Sequence, residues 1–487
     1  MSKPAKVIPI VAASAKVEDS AQFVSMYQKQ PTIYPRAVKG WFANWRWVFV
    51  WLTQLLFYGL PWLQWSGRQA VLFDLEAQRF YIFGLLLYPQ DLIFLAALLV
   101  LSALALFFFT AVAGRLWCGY TCPQTVYTEI FMWAERKIEG DRVARMRLDQ
   151  QPWRWSKIWR KGAKHSAWLS IALFTGFSFV GYFTPIRELA ADVASWNLSG
   201  WNAFWVLFYG AATYGNAGFL REQMCKYMCP YARFQSALID KDSLIITYDA
   251  KRGDPRGSRS RKADSAAHGL GDCIDCTLCV QVCPTGIDIR NGLQNECIGC
   301  AACIDVCNDV MDKMGYAKGL IRYSTENGVV NGWTRLQMFK RALRPRVLIY
   351  GAVLSAASVT FAASVAMRSP FKFDVVKDRG ALARVVEEGA VENVYRIQIM
   401  NRTEAPQTYR VAASGIDGLE VVAMPASAGP AAVTSTSVSL RLPFVVAQGL
   451  AGRSVPVMFA VTGVEPTSGT SADRSAIQFE KSTFFIP

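Results

Sequence analysis

Long apolar segments alternate with polar, basic segments over most of the chain, and a different pattern takes over near its end. Five stretches are apolar over close to the roughly 20 residues that a helix needs to cross a bilayer core. They are residues 44–63, 92–113, 166–183, 201–219 and 347–367. The pattern predicts a polytopic α-helical membrane protein with five transmembrane helices. The segment 79–87 is apolar but too short to cross alone, and we interpret it as an interfacial or re-entrant piece.

Beyond residue 370 the apolar positions alternate with polar ones, as in Tyr395, Ile397 and Ile399. Turn sequences such as IDG, SAGP and GTSADR separate these short runs. Period-two alternation with regular turns predicts an immunoglobulin-like β-sandwich over residues 370–487. No catalytic set is visible in it, so the sandwich is interpreted as a docking or structural module.

Charge distribution orients the predicted helices. Hydrophobic residues make up 52% of the chain, charged residues only 18%, and the formal net charge is +15. Eleven Lys and Arg residues fall in 114–164, against two in 64–84 and one in 184–200. The positive-inside rule therefore places 114–164, the N-terminus and 221–346 in the cytoplasm, and the C-terminal sandwich outside. Topology accounts for the basic charge, and no nucleic-acid-binding signature accompanies it.

Eight of the twelve cysteines form two consecutive clusters with the spacing of bacterial two-cluster ferredoxins. The first reads C-x2-C-x2-C-x3-C-P from Cys273, and the second repeats the spacing from Cys297 but ends on Asn308 where proline is usual. In this arrangement the last cysteine of each run opens a short helix and serves the other cluster. The predicted ligands are Cys273, Cys276, Cys279 and Cys307 for the first [4Fe-4S] cluster, and Cys283, Cys297, Cys300 and Cys303 for the second.

Other cofactors fit this pattern less well. Structural zinc usually uses two CxxC pairs separated by a longer spacer. A haem held by two histidines is nearly excluded, because His165 and His268 are the only histidines. Disulfides are disfavoured in a segment on the reducing side of the membrane.

The remaining four cysteines form an internal repeat, C-x-Y-x-C-P. Cys118 and Cys122 follow the second apolar segment, and Cys225 and Cys229 follow the fourth. On one helix, residues i and i+4 share a face, so each pair could present two sulfurs together, with the proline ending the helix. Convergent thiolates suit a soft ion such as Cu(I). Buried inert thiols or a redox disulfide pair are the alternatives, and the adjacent Met224 and Met228 are interpreted as packing residues.

The combined motifs resemble a known family. The loop PWLQWSGRQAVLFDLEAQRFYIFG, the two CxYxCP motifs and CIDCTLCVQVCPTGIDIRNGLQNECIGCAACIDVC look like the cytochrome c oxidase accessory protein CcoG family, also called FixG or RdxA. The resemblance implies a bacterial inner-membrane iron–sulfur oxidoreductase. It would reduce Cu(II) to Cu(I) on the cytoplasmic side during cbb3-type oxidase assembly.

The same resemblance implies roles and partners. Cys118, Cys122, Cys225 and Cys229 would be the copper-handling thiols, and the other eight cysteines the cluster ligands. Partners would be a cytoplasmic electron donor, a copper chaperone or copper-exporting ATPase, and oxidase assembly factors. Two other functions stay open: a quinol-dehydrogenase-like polyferredoxin subunit, and a non-enzymatic copper-binding assembly scaffold.

These patterns divide the chain into five parts. The predicted parts are a poorly ordered cytoplasmic tail (1–38), a four-helix transmembrane domain with both CxYxCP motifs (39–239), a cytoplasmic ferredoxin domain with a basic linker (240–340), a fifth transmembrane helix (345–368) and the periplasmic sandwich (370–487). The linker is the basic, loop-like stretch 240–270.

Overall fold

The structure is a computed structural model that describes residues 32–261, 269–378, 380, 382–386, 389–464 and 477–487. Most of the predicted tail therefore lies outside the described residues. Its last part, 32–38, is extended and held in place: the Arg36 amide donates to the Gln281 carbonyl at 2.8 Å, and the Ala37 amide to Asp141 Oδ1 at 3.0 Å. The expectation of a poorly ordered tail is wrong for this stretch, which joins the ferredoxin domain to a basic loop.

Nine helices occupy the described part of the chain before residue 240. They are α1 (Trp41–Gly59), α2 (Leu92–Ala113), α3 (Leu116–Tyr120), α4 (Pro123–Glu139), α5 (Arg142–Gln150), α6 (Trp155–Val180), α7 (Ile186–Ala194), α8 (Gly200–Gly215) and α9 (Pro230–Leu238). Four of the five predicted apolar segments coincide with α1, α2, α6 and α8. Among the described residues, two helices are long and apolar enough to cross a membrane: α2 with its preceding turn, and the later helix Pro345–Ala366. Five crossings stay a prediction.

Close approach of α6 and α8 depends on small residues. A Cβ added to Gly176 would lie 2.3 Å from the Val206 carbonyl oxygen, and one added to Gly210 would lie 3.2 Å from Leu173 Cδ2. Glycine has no side chain, so it lets two helix backbones approach closely.

A small β structure follows α1 on the side opposite the ferredoxin domain. Its strands are β1 (Gln64–Trp65), β2 (Arg68–Gln69), β3 (Val71–Asp74), β4 (Arg79–Ile82) and β5 (Leu85–Leu87). Strands β3, β4 and β5 form an antiparallel sheet. The segment 79–87 is thus a β-hairpin rather than a re-entrant membrane piece, because alternate side chains such as Tyr81 and Leu86 are buried in one small core.

The ferredoxin domain is built around its cysteine-rich loops. Its elements are β6 (Ile245–Tyr248), α10 (Ala250–Gly253), α11 (Leu278–Gln281), α12 (Ala302–Met314), β7 (Ile321–Ser324), α13 (Glu326–Asn331) and α14 (Arg335–Ala342). β6 pairs antiparallel with β7. The loop-like linker expected over 240–270 is therefore wrong at β6 and α10, while its residues 262–268 lie outside the described part of the chain.

Helix α15 (Pro345–Ala366) leads into the C-terminal domain. The elements there are β8 (Phe371–Lys377), β9 (Arg384–Val385), β10 (Val391–Asn401), β11 (Gln407–Ser414), β12 (Glu420–Ala423), β13 (Ala426–Ala428), β14 (Val433–Leu442), α16 (Phe444–Gln448), β15 (Ser454–Val464) and β16 (Ile477–Phe485). One sheet has the order β12-β14-β10-β8, with β9 beside β10, and the other the order β13-β11-β15-β16. Tyr395, Ile397 and Ile399 face the buried core. The alternation read from the sequence is confirmed.

A buried ionic cluster joins this sandwich to the start of α2. The Asp91 carboxylate, in a residue 2% exposed, pairs with Arg402 and lies 3.4 Å from Lys372 Nζ and 3.9 Å from Arg368 Nη1. The Tyr88 hydroxyl donates to the Asn401 carbonyl at 3.0 Å. Because these contacts link residues more than 270 positions apart, they hold the sandwich against the start of α2 and the neighbouring β3–β5 sheet.

We expect Asp91→Asn to destabilise the protein by about 3–5 kcal/mol, because it removes the carboxylate that compensates buried guanidinium groups. The measurement is urea-induced unfolding of the full chain in detergent. Glu404→Gln is the matched control: it breaks the half-exposed Arg68–Glu404 pair between the same two parts, at a cost of about 0–1 kcal/mol. Equal losses in both variants would contradict the prediction.

Candidate metal centres

Two cavities in the ferredoxin domain are lined by cysteines. Cys273, Cys276, Cys279 and Cys307 line the first, together with apolar side chains such as Leu278 and Ile321. The second is lined by Cys283, Cys297, Cys300 and Cys303, with the Cys279 of the first set also at its wall. Each cavity thus gathers one of the two cysteine sets that the spacing predicts, although which thiol binds which cluster stays a prediction.

Left-handed backbone residues give the cysteine loops their shape. Asp275, Thr277 and Ala301 all have φ between 52° and 60°, and Gly299 has φ of 69°. Thr277 and Ala301 stand directly before α11 and α12, so each helix begins where the loop ends. These reversals turn successive cysteines of a C-x2-C-x2-C run inward.

The fourth cysteine of each run is placed differently from the expectation. Cys283 follows α11, but Cys307 lies inside α12 instead of opening a helix. Asn308 explains the difference. It permits the helix to continue where proline would obstruct it, and its side-chain oxygen accepts a hydrogen bond from the Gly319 amide at 3.0 Å.

The donor chemistry of both cavities fits iron–sulfur clusters. Four-iron clusters take four thiolates, and each cavity offers four thiols in an apolar setting. Burial raises the pKa of Cys279 to about 11, so a bound cation must displace its proton. Within the described ranges, no group of three His, Cys, Asp or Glu side chains is poised around a single ion. A multi-iron cluster spreads its ligands more widely than one ion does, and the cavities suit that arrangement.

The two CxYxCP motifs share one local geometry. The amide of Cys122 donates to the Trp117 carbonyl at 3.0 Å, and that of Cys229 to the Met224 carbonyl at 2.8 Å, five residues back in both cases. The second cysteine caps the next helix, with proline at its first position. The expectation that both cysteines of a pair share one helix is therefore wrong: the proline starts a new helix rather than ending the old one.

The four motif cysteines lie near one another. Burial, followed by the nearby thiol groups of Cys122, Cys118 and Cys229, raises the pKa of Cys225 to about 12. Burial, then Cys122, likewise raises the pKa of Cys118 to about 11. The Cys118 thiol donates to Gln235 Oε1 at 3.3 Å. The two repeats thus converge on a single region, contributed by the ends of α3 and of the π-helical turn Met224–Met228.

This cysteine region packs directly on the second cluster loop. Cys118 and Cys225 contact an apolar core that includes Cys300, Ile298 and Val306. Gly119, between the two motif cysteines, is in close approach: an added Cβ would lie 2.9 Å from the Cys300 amide nitrogen and Cα. Arg115 reinforces the junction, because its guanidinium donates to the carbonyls of Asn295 and Ala232.

Asp305 provides a second junction between the same parts. This buried residue lies in α12 between Cys303 and Cys307, and its carboxylate accepts from the amides of Phe42 at 3.3 Å and Ala43 at 2.8 Å. Those are free donors of the first turn of α1, where a negative charge is favoured. A Cβ on Gly40 would lie 2.3 Å from Asp305 Cγ, so only glycine admits this contact.

Comparisons with known proteins agree with this arrangement. A family model described as "4Fe-4S dicluster domain" matches residues 220–326, one described as "IG-like fold at C-terminal of FixG" matches 361–487, and one described as "4Fe-4S binding domain" matches 95–140. "Nitrogen fixation protein FixG" of Rhizobium meliloti is 35% identical over 80% of this chain and 80% of its own. "Protein RdxA" of Cereibacter sphaeroides is 38% identical over 81% of this chain and 84% of its own.

The chain belongs to the FixG/RdxA family. It is an iron–sulfur redox protein with two kinds of 4Fe-4S-binding region and a C-terminal immunoglobulin-like domain. The solved structure of a FixG-related protein from Vibrio parahaemolyticus matches 24% of this chain and 97% of its own, at 20% identity and a TM-score of 0.20.

Sequence reasoning missed Gly40, Gly119 and Asp305 as parts of the site. Gly119 and Asp305 stand inside the cysteine motifs, at variable x positions, so their position gave a weak signal. Their importance comes from contacts with residues 181 and 262 positions away, respectively, and no local pattern encodes such contacts.

We expect Gly119→Ala in this FixG-family protein to destabilise the junction by about 1–3 kcal/mol, because the added methyl group meets backbone atoms that cannot turn aside. The measurement is hydrogen exchange of the amides in 297–303, which should accelerate. Gly162→Ala is the control, since no atom lies within 4 Å of its Cβ position. Unchanged exchange at 297–303 would refute the close approach.

Proposed function

We propose that this protein is a membrane-bound electron-transfer oxidoreductase that reduces Cu(II) to Cu(I) at its four motif cysteines, on the cytoplasmic side, in support of cbb3-type oxidase assembly. The observation that carries the proposal is the packing of Cys118 and Cys225 against the core containing Cys300. A thiol pair in van der Waals contact with a cluster loop is well placed to receive single electrons.

The eight ferredoxin cysteines would hold two [4Fe-4S] clusters, which supply one-electron redox chemistry when bound. The chain's own contribution is positioning. Apolar walls shield most of these thiols from water, although Cys276 is exposed, and Asp305 and Arg115 hold the cluster loop against the helical part. No hinge is needed between the cluster loop and the motif cysteines.

Copper is the substrate in this proposal. Each Cu(II) takes up one electron to become Cu(I), and thiolates stabilise the softer Cu(I) product. Because the thiols of Cys118 and Cys225 have raised pKa values, capture of the ion must release protons. A copper chaperone or copper-exporting ATPase would then receive Cu(I).

The membrane topology belongs to the same proposal. The five predicted crossings would place the ferredoxin domain and both CxYxCP motifs in the cytoplasm and the sandwich in the periplasm. Support comes from the two helices that pass the length and composition test. The ferredoxin domain and the sandwich also lie at opposite ends of α2, at Gly114 and Asp91 respectively.

We expect Cys118→Ser combined with Cys225→Ser to slow cupric reduction at least about tenfold in protein whose clusters were reduced with dithionite and then freed of the excess, because hard hydroxyls replace two soft donors. Trapping of Cu(I) by a chromogenic chelator measures the rate. The EPR spectrum of the reduced clusters should stay unchanged. Met228→Leu is the matched control for an exposed sulfur in the same segment, and it should leave the rate intact. Full activity in the double serine variant would refute the copper role.

Metal analysis of protein purified without oxygen tests whether the chain holds two four-iron clusters, on which the proposed function depends. We expect about eight iron atoms and eight sulfides per chain, from two four-iron clusters. Zinc in place of iron and sulfide would overturn the electron-transfer function. About twelve iron atoms would instead assign a third cluster to the motif cysteines, and copper would then lose its site.

A further inference from the structure

A deep groove runs along α1 on the face turned toward α4 and α6. It encloses about 700 Å³, within the range of pockets that bind small organic ligands. Trp47, Trp51 and Trp133 line one end, and Gln54 and Tyr58 lie toward the other. Trp51 and Leu55 are largely exposed at the mouth, so a long apolar chain could leave the groove there into the surrounding lipid.

The inner wall of the groove needs a hydrogen-bond donor. Gln54 is only 9% exposed, and within the described part of the chain its Oε1 has no hydrogen-bond partner. An unpaired buried carbonyl is costly, most of all in an apolar setting. A fatty-acyl chain offers no donor, so lipid alone does not satisfy this atom.

The hydroxyls of Thr175 and Tyr58 donate to other atoms, and within the described part of the chain no hydroxyl, that of Tyr127 included, is hydrogen-bonded to Gln54 Oε1. Thr175 donates to the Ile171 carbonyl at 2.8 Å, so the 2.8 Å contact between the Tyr58 and Thr175 hydroxyls is donated by Tyr58. Tyr127 lies close enough to interact with Tyr58, Thr175 and Gln54. The wall is therefore a phenol and amide cluster whose open need, at Gln54, is for a donor.

Helix α1 connects this groove to the cluster domain. Trp47 lies four residues beyond Ala43, the residue held by Asp305, which is about 6 Å along the helix axis; Gln54 lies about 16 Å along it. The Phe49 and Tyr120 rings contact each other at a centroid distance of 6.0 Å, and Tyr120 stands between Cys118 and Cys122. The groove and the cysteine region are thus parts of one packed unit.

We propose that the groove binds an isoprenoid hydroquinone, whose ring hydroxyl donates to Gln54 Oε1 and whose chain leaves past Trp51 and Leu55. The inference rests on the proposed function, for which it names the electron source. One hydroquinone reduces two Cu(II) to two Cu(I) and leaves as quinone, releasing two protons. Because the wall needs a donor, the reduced form should bind more tightly than the quinone, which only accepts.

The test is equilibrium binding of decylubiquinol and decylubiquinone to the full chain in phosphatidylcholine nanodiscs, without oxygen. Ligand retained on the immobilised nanodiscs is quantified by chromatography. We expect the hydroquinone to bind about tenfold more tightly than the quinone, and Gln54→Met to abolish that difference, as one lost hydrogen bond to a buried acceptor implies.

A pair of tryptophan variants on α1 controls for the groove itself. Leu55→Trp fills the groove and should reduce retention of both ligands at least about tenfold, whereas Leu52→Trp, on the same helix outside the groove lining, should not. Retention that is the same in wild type, Gln54→Met and Leu55→Trp would overturn the proposal and leave a groove occupied by lipid chains only.

A separate reductant distinguishes the two proposals. Cupric reduction by clusters that dithionite has reduced, measured after the excess dithionite is removed, does not require the groove, so it should proceed normally in Gln54→Met and Leu55→Trp. Normal dithionite activity together with absent hydroquinone binding would overturn the inference while the proposed function stands. Selective hydroquinone binding with no cupric reduction from either reductant would overturn the proposed function instead.

Discussion

The close contact between the CxYxCP region and the cysteine loop 297–303 sets the position of the ferredoxin domain on the helical part of the protein. Gly119 lies against the backbone at Cys300 with no room for a side chain, and Asp305 holds the first amides of α1 from within the cluster helix α12. Both contacts are short and backbone-directed. They leave the ferredoxin domain no freedom to swing away from the helices that carry the motif cysteines.

Buried carboxylates with several cationic partners lie at both ends of the helical part. At one end, Glu135 is 2.9 Å from Arg145 and 3.0 Å from Arg221. Burial alone would raise the pKa of Glu135, yet these guanidinium groups hold that pKa below its usual value. At the other end a single carboxylate, Asp91, serves three cations. In both places the ionic cluster ties together segments distant in sequence, so that charge fixes the relative positions of loops and domains.

The ferredoxin cysteine runs and the CxYxCP motifs differ in backbone geometry. The ferredoxin runs use left-handed residues such as Thr277 and Ala301 to fold thiols around a cavity. The CxYxCP motifs instead break a helix and restart it at Pro123 or Pro230, with an amide bonded five residues back. The first geometry folds four thiols around a cavity, and the second places thiols at the end of a helix.

The elements that follow from local sequence patterns could be predicted before the structure was known. Apolar length predicted the helices α1, α2, α6, α8 and α15, alternation predicted the sandwich, and cysteine spacing predicted which thiols share a cavity, since each of these is set by residues near one another in the chain. Two local features became visible only in the folded chain, the helix break inside each CxYxCP motif and the hairpin at 79–87. The same holds for the features that join distant residues, which are the Asp305 and Asp91 junctions and the groove along α1. The reason is physical. Packing contacts and buried ion pairs depend on which residues are close in space. The separation of two residues along the chain does not reveal whether they are close in the folded protein.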